Sequence, residues 1–168
     1  MSDDRLILVL DEGTSSTRAV LYGLDGVVHG SCSRPLIQHY PGPGLVEHDA
    51  QEIWRETLAC GREMVERAGG APRIAAIGIT NQRETVVAWD RRTGEPLHRA
   101  IVWQDRRTAE RCEQLRADGH EPEVQRRTGL LLDPYFSGTK MRWLLGQEAV
   151  RGACDRLAFG TIESWLTW

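Results

Sequence analysis

Apolar positions come first in short unbroken runs and later at helical spacing. Leu6-Ile-Leu-Val-Leu10 is an unbroken run that ends on Asp11, the pattern of a buried strand rather than a half-exposed one. Gly13 marks a tight turn, where a missing Cβ lets backbone approach a neighbour closely, and Ala19-Val-Leu-Tyr22 reads as the returning strand. Leu24-Asp-Gly-Val27 is a second turn signal, so Val27 to Cys32 makes a third strand and the chain opens with three antiparallel strands. The prolines and glycines of Gln38–Gly44 predict a loop. Asp49, with Glu52 three residues on, reads as a capping box with Asp in place of Ser or Thr. Ile53, Trp54, Thr57, Leu58, Gly61, Met64, Val65 and Ala68 then follow at helical spacing until Gly69-Gly70 closes the helix.

Ile74–Ile79 is a second continuous apolar strand; polar Thr80–Thr85 breaks it before Val86-Val-Ala-Trp89 resumes. Asp90–Gly94 is a turn and Ala100–Trp103 a short strand. Gln104–Thr108 leads into a helix through Ala117 whose Arg/Glu-rich face reads as solvated, ended by Asp118-Gly119. Thr128-Gly129 interrupts a short helical piece. A helix over Tyr135–Leu145 has Pro134 near its first turn, and Phe159–Trp168 begins a further element.

Composition adds bounds. At 168 residues and 40% hydrophobic content, the chain can bury one core and is bounded as one domain. A net charge of −3 argues against a general nucleic-acid or membrane-surface binder. No apolar run approaches membrane-spanning length, and the first strand begins too early for a signal peptide, so a cytoplasmic protein is expected. Cys32, Cys60, Cys112 and Cys154 lie far apart with no paired spacing and read as reduced, mostly structural thiols. The five His are equally scattered, which disfavours a His/Cys metal site.

Two polar stretches carry candidate chemistry. Between the first two strands, Gly13 and the hydroxyls Thr14–Thr17 can present backbone N–H groups to an anion, and Asp11 at the strand end is placed to hold hydrated Mg²⁺ through oxygen. A polar turn with no ligand fits the same residues. No Walker loop is present: the only Lys, Lys140, follows Gly138-Thr139 without the earlier glycine. In Thr80–Thr85, Arg83 offers a planar fork of donors and Glu84 the matching acceptors, which suits either a structural network or a polyol with adjacent hydroxyls. Trp103, at a strand end, is either core or an apolar wall for such a polyol.

Asp11-Glu-Gly-Thr-Ser-Ser-Thr-Arg18 resembles the first phosphate-binding hairpin of the FGGY carbohydrate kinases, members of the actin-like ATPase superfamily. Ile77–Thr85, Ile101–Thr108 and Asp133–Lys140 are similar, in order and spacing, to the glycerol kinase branch of that family, as are Gln38–Pro41 and Val46–Asp49. The resemblance runs from Leu6 to the C-terminus. It implies an α/β fold: an actin-like ATPase (ribonuclease H-like) lobe with a mixed sheet opening on three antiparallel strands, flanked by helices. Residues 1–168 would form a truncated N-terminal lobe, the rest of that lobe and the C-terminal lobe being absent. By the resemblance, Thr14, Ser15 and Ser16 contact ATP phosphates with Arg18 beside them, and Asp11 faces Mg²⁺ through water. Arg83, Glu84, Trp103 and Tyr135 line a glycerol pocket. The implied reaction is transfer of the ATP γ-phosphoryl group to glycerol, giving glycerol 3-phosphate. The family's catalytic Asp, second phosphate loop and adenosine pocket fall in the absent part, so no residue here is assigned as the catalytic carboxylate and activity of this piece alone is not expected. A separate C-terminal chain and a homo-oligomer stay open as partners, alongside glycerol and ATP. So do two other readings: a non-catalytic remnant or polyol- or nucleotide-binding half of a split protein, and a sister sugar or polyol kinase. Glu12 stands where this branch usually has Gln and is expected to add a negative charge beside the triphosphate.

Overall fold

The computed structural model describes residues 4–168. In chain order its elements are β1 (Leu6–Glu12), β2 (Ser16–Gly23), β3 (Val28–Pro35), β4 (Gln38–His39), β5 (Glu47–His48), α1 (Ala50–Arg67), β6 (Ile74–Asn81), β7 (Val87–Asp90), β8 (Ala100–Ile101), α2 (Ala109–Ala117), α3 (Glu121–Thr128), α4 (Ser137–Leu144), α5 (Glu148–Ala153), β9 (Leu157–Gly160) and α6 (Ile162–Thr167). They divide into two compact units, one of residues up to Ile37, Asp49–Gln82 and Ile162–Trp168, the other of Gln38–His48 and Arg83–Thr161.

The first unit is a four-stranded mixed sheet in the order β3-β2-β1-β6. β1 pairs antiparallel with β2, β2 antiparallel with β3, and β1 parallel with β6, so the expected three-stranded antiparallel opening is present. Strand alternation sends Leu6 and Leu8 to one face, where they pack with Ala19, Leu21 and the α1 residues Cys60 and Met64. The inward residues of α1, Ala50, Ile53, Thr57, Cys60 and Met64, recur at three- and four-residue steps. Asp49 caps the helix as expected, accepting from the backbone N–H groups of Gln51 (2.9 Å) and Glu52 (3.4 Å). Glu52 does not complete the capping box. Its carboxylate turns to the Ile37 N–H, 3.4 Å away, and ties the chain after β3 to the helix start. Gly69 and Gly70 end the helix, both at positive φ, with the Gly70 N–H reaching back to the Val65 carbonyl.

Two apolar runs are less covered than expected. In β1, Ile7, Val9 and Leu10 are only half-buried, so the strand alternates instead of being buried on both faces. In β6, Ala75, Ala76 and Ile77 are exposed, Ile77 at 61%. Leu8 and Ile77 are register partners, yet α1 covers the first and leaves the second at the rim of a groove of about 480 Å³ whose other walls include Trp54, Leu58 and Leu166. An unbroken apolar run shows that a strand can be buried on both faces; whether it is depends on what packs there.

The second unit is built from small sheets and short helices. β4-β5-β8 form one three-stranded antiparallel sheet and β7-β9 another pair, so part of the expected loop at Gln38–Gly44 is paired strand. Val86, Ala88, Ile101, Leu144 and Val150 make its core. Helix α2 begins only at Ala109, because Gln104–Thr108 is spent on turns around the buried Asp105. Helix α4 begins at Ser137, two residues later than expected, and Pro134 lies in the turn that precedes it. No helix among the described residues is long and apolar enough to cross a membrane.

Candidate functional site

In the first unit the polar residues sit on the β1–β2 hairpin. The turn is held by a hydrogen bond from Gly13 N–H to the Ser16 carbonyl, 3.0 Å. A Cβ on Gly13 would lie 3.0 Å from that same oxygen, so glycine lets the backbone close here. Gln82, at the end of β6, braces the turn from below: its backbone N–H donates to the Glu12 carbonyl and its side-chain amide to the Gly13 carbonyl, 3.2 Å. Thr14 and Ser16 are half-buried and Ser15 is exposed at the tip, with the Ser15 carbonyl accepting from Leu36 N–H. Sequence reading missed Gln82; its place at the end of an apolar run, next to Asn81, was the available signal.

Alternation fixes the roles of the two acidic residues. Asp11 and Arg18 are register partners and form an ion pair on the open face. Glu12 points the other way, under α1, and is fully buried. Its Oε1 accepts from Thr17 and Thr57 hydroxyls at 2.7 Å, while Oε2 finds no hydrogen-bond partner among the described residues. The expectation of a charge standing beside a triphosphate is therefore corrected. Burial raises the Glu12 pKa above the usual 4.5, and neighbouring Asp11 adds to the rise against the two threonine hydrogen bonds. Thr57 also has the Ile53 carbonyl 2.7 Å away and only one proton to give, so its hydroxyl serves Glu12 or Ile53 but not both at once. A neutral carboxylic acid is close in shape to the amide of Gln, and Gln can occupy the position without a charge.

A test follows from the sign of the shift. A raised carboxyl pKa contributes stability that is complete below about 4.5 and is lost as pH rises through the folded-state value. Glu12→Gln should remove that loss, leaving stability near wild type at pH 4.5 and above it at pH 8. The expected gain is about 1.4 kcal/mol for each unit by which burial raises the pKa. Denaturant unfolding at the two pH values measures it, and an equal or lower stability of the variant at pH 8 would show a charged Glu12.

In the second unit the polar break after β6 bends sharply. Glu84 is a non-glycine residue in the left-handed region, φ 67°, a conformation that persists where surrounding contacts hold it. Its Oε2 accepts from the Ser137 N–H (2.8 Å) and hydroxyl (2.6 Å) and so caps α4, whose own N-cap residue Phe136 supplies no side-chain acceptor. Its carbonyl accepts from Lys140 Nζ at 2.8 Å, and the same ammonium donates to the Tyr135 carbonyl at 2.6 Å. Lys140 is fully buried, and that burial pushes its pKa down to about 8 against the opposing pull of Glu84, Asp105 and Asp133.

Tyr135 meets Trp103 edge-on, with ring centroids 5.9 Å apart, and the Trp103 backbone N–H donates to the Thr85 hydroxyl at 3.2 Å. Glu84 and Tyr135 are thus brought together around Lys140, with Trp103 against the Tyr135 ring, while Arg83 precedes Glu84 with an exposed side chain. Sequence reading missed Ser137 and Lys140 as parts of this cluster. The signal for the second was composition: one lysine against twenty arginines. Arg107, just before the helix whose Arg/Glu-rich face was expected to be solvated, is locked between Asp105 and Glu47 with its side chain 5% exposed.

Comparison with known proteins bears on both polar clusters. The model of the FGGY family of carbohydrate kinases, N-terminal domain, matches residues 6–168. A glycerol kinase of Dechloromonas aromatica (strain RCB) is 56% identical over 169 residues, 98% of this chain and 34% of that protein. One from Geobacter sp. (strain M21) is 58% identical over 164 residues, 95% of this chain and 33% of that protein. Among solved structures, the Plasmodium falciparum glycerol kinase with ADP superposes with a TM-score of 0.88 at 33% identity, over 96% of this chain and 33% of that one. The chain spans about a third of the length of the curated relatives it matches. With one family domain matched from the first strand to the last residue, and the expected sheet beneath it, this chain belongs to the FGGY family of carbohydrate kinases.

Proposed function

We propose that the chain is the N-terminal part of an ATP-dependent glycerol kinase, which transfers the ATP γ-phosphoryl group to a hydroxyl of glycerol. The observation that carries this reading is the likeness to glycerol kinases along the whole chain, both polar clusters included. In the first unit the β1–β2 hairpin takes the phosphates: Thr14, Ser15 and Ser16 offer hydroxyls and turn N–H groups, and Arg18 a positive charge. In the second unit Glu84 accepts from the polyol hydroxyls, Arg83 donates to them, and the Trp103 and Tyr135 rings wall the carbon chain.

Asp11 is the residue that would hold Mg²⁺. Among the described residues no group of three or more His, Cys, Asp or Glu stands ready for a metal, which suits an ion that keeps its waters and completes its shell on phosphate oxygens. Bound there, Mg²⁺ would neutralise charge on the nucleotide phosphates. Asp11 already pairs with Arg18, so with Mg²⁺ held at Asp11 the Arg18 guanidinium would be left to pair with phosphate oxygens.

Joining residues 1–168 to the remaining two thirds of the Dechloromonas aromatica relative tests the reading. The folded chimaera should form glycerol 3-phosphate from ATP and glycerol, with the 168-residue chain alone as the blank. Turnover of a pentulose in preference to glycerol would overturn it, as would a folded chimaera with no turnover. In the active chimaera, Arg83→Ala should raise the glycerol KM at least tenfold, since loss of charged hydrogen bonds costs about 1.5–3 kcal/mol. An unchanged KM would remove Arg83 from the site.

A further inference from the structure

Cys32 and Cys60 lie twenty-eight residues apart in sequence and 3.0 Å apart in space, Sγ to Sγ, across the contact between β3 and α1. We propose that this pair is a dithiol modification site, which a small-molecule disulfide oxidises to an intramolecular Cys32–Cys60 disulfide that pins α1 to β3. A disulfide bond is about 2.05 Å long, so the two sulfurs need to close by about 1 Å. Both residues sit on regular elements whose neighbours fix them. Cys32 is opposite Ala19 in the β2–β3 register, and Cys60 lies in the core with Ala19, Leu21 and Met64.

The two sulfurs are not equivalent. Cys60 is fully buried, and burial pushes its thiol up to about 12. Cys32 is half-buried on the edge strand, with its Sγ donating to Glu63 Oε2 at 3.1 Å and the Arg34 guanidinium beside it. Arg34 in turn reaches Glu56 and Glu63, and Arg67 reaches Glu63. An external disulfide can reach the half-buried Cys32 on the edge strand but not Cys60 in the core. Cys32 is therefore the first nucleophile and Cys60 the resolving thiol.

The electron count closes with the external disulfide as oxidant. The Cys32 thiolate, its proton lost to solvent beside Glu63, attacks one sulfur of R–S–S–R; the S–S bond breaks and one R–S⁻ leaves. The Cys60 thiol gives up its proton and attacks Cys32 Sγ, forming the intramolecular bond and expelling the second R–S⁻. Two cysteine thiols are oxidised by two electrons, the external disulfide is reduced, and two protons end on the two released thiols.

Cys112 and Cys154 serve as internal comparisons. Cys112 is buried against Thr139, whereas Cys154 is exposed with no thiol partner among the described residues. Oxidised glutathione in excess is added to the purified chain, the reaction is stopped with acid, and non-reducing peptide mass mapping follows. The expected result is a Cys32 peptide joined to a Cys60 peptide, lighter by two hydrogens, with Cys154 carrying glutathione. Melting temperature should rise by about 5–10 °C, reversed by dithiothreitol, because the bond closes a loop of moderate length in the unfolded chain. Cys60→Ala should stop at a glutathione adduct on Cys32. A stable glutathione adduct on Cys32 in the unsubstituted chain would overturn the proposal. So would free Cys32 and Cys60 after Cys154 has reacted, or a link with no rise in melting temperature.

Discussion

Replacing Arg107 with methionine should cost the chain about 3–5 kcal/mol of folding stability, the usual range when one partner is removed from a buried charge cluster. The guanidinium donates to Asp105 Oδ1 and Oδ2 and to Glu47 Oε1, each at 2.8 Å, and lies 4.5 Å from the centre of the Trp143 ring. Asp105 is 1% exposed and also accepts from the Val46 and Arg107 backbone N–H groups, so it joins the β5 approach to the turn before α2. Methionine keeps the volume and the contact with Trp143 but leaves two carboxylates without their cation in a dry site. The hydrogen bonds to those carboxylates, together with their negative charge, outweigh desolvation and raise the pKa of Arg107 itself. Arg107→Lys should lose less, because a point charge still neutralises the two carboxylates although it cannot reproduce all three directed contacts. The methionine variant should also regain stability as pH falls, since stranded carboxylates have raised pKa values and their protonation removes the uncompensated charge. Denaturant unfolding at pH 7 and pH 5 measures both. A loss under 1 kcal/mol at pH 7 would mean that the cluster's desolvation cost nearly cancels its attraction.

The parts of the fold legible in the sequence are those set by neighbours along the chain. The start of β1, the Gly13 turn and the Asp49 cap are local, and each falls within a residue or two of its expected place. Parity is legible too: Leu6, Leu8, Leu10 and Glu12 share one face of β1, which already turns Glu12 inward and Asp11 outward. What was illegible depends on partners far along the chain. Arg107 is buried because Glu47 is there, sixty residues earlier, and within Gln104–Thr108 alone it looks like a surface arginine. Glu84 caps a helix that starts fifty-three residues later. The Cys32–Cys60 approach follows from the packing of α1 on β3, which no spacing rule encodes. The exposure of Ile77 fails differently, because hydrophobicity reports what a residue can bury against and not whether the neighbour is present.

Lys140→Met is expected to lower stability by about 2–4 kcal/mol at pH 7 and to loosen the cluster around Glu84 and Tyr135. The methionine fills much the same space but cannot donate, so the Glu84 and Tyr135 carbonyls lose the partner that both share, at about 1–3 kcal/mol for each buried acceptor left unmet. Glu84 holds a left-handed backbone without being glycine, and the Lys140 contact to its carbonyl is one of the restraints that keep it there. The loss should grow with pH. Burial puts the folded-state pKa of Lys140 at about 8, below the ordinary 10.5, so its contribution is complete above 10.5 and is lost as pH falls through 8. Between pH 7 and pH 10 the gap between wild type and variant should therefore widen by about 2 kcal/mol, whereas a purely volumetric effect would leave it constant. In the chimaera that tests the proposed function, the same substitution should raise the glycerol KM more than it lowers kcat, because Lys140 holds the carbonyls of Glu84 and Tyr135, two residues proposed to line the glycerol pocket. A pH-independent stability gap together with an unchanged KM would reduce Lys140 to a space-filling residue.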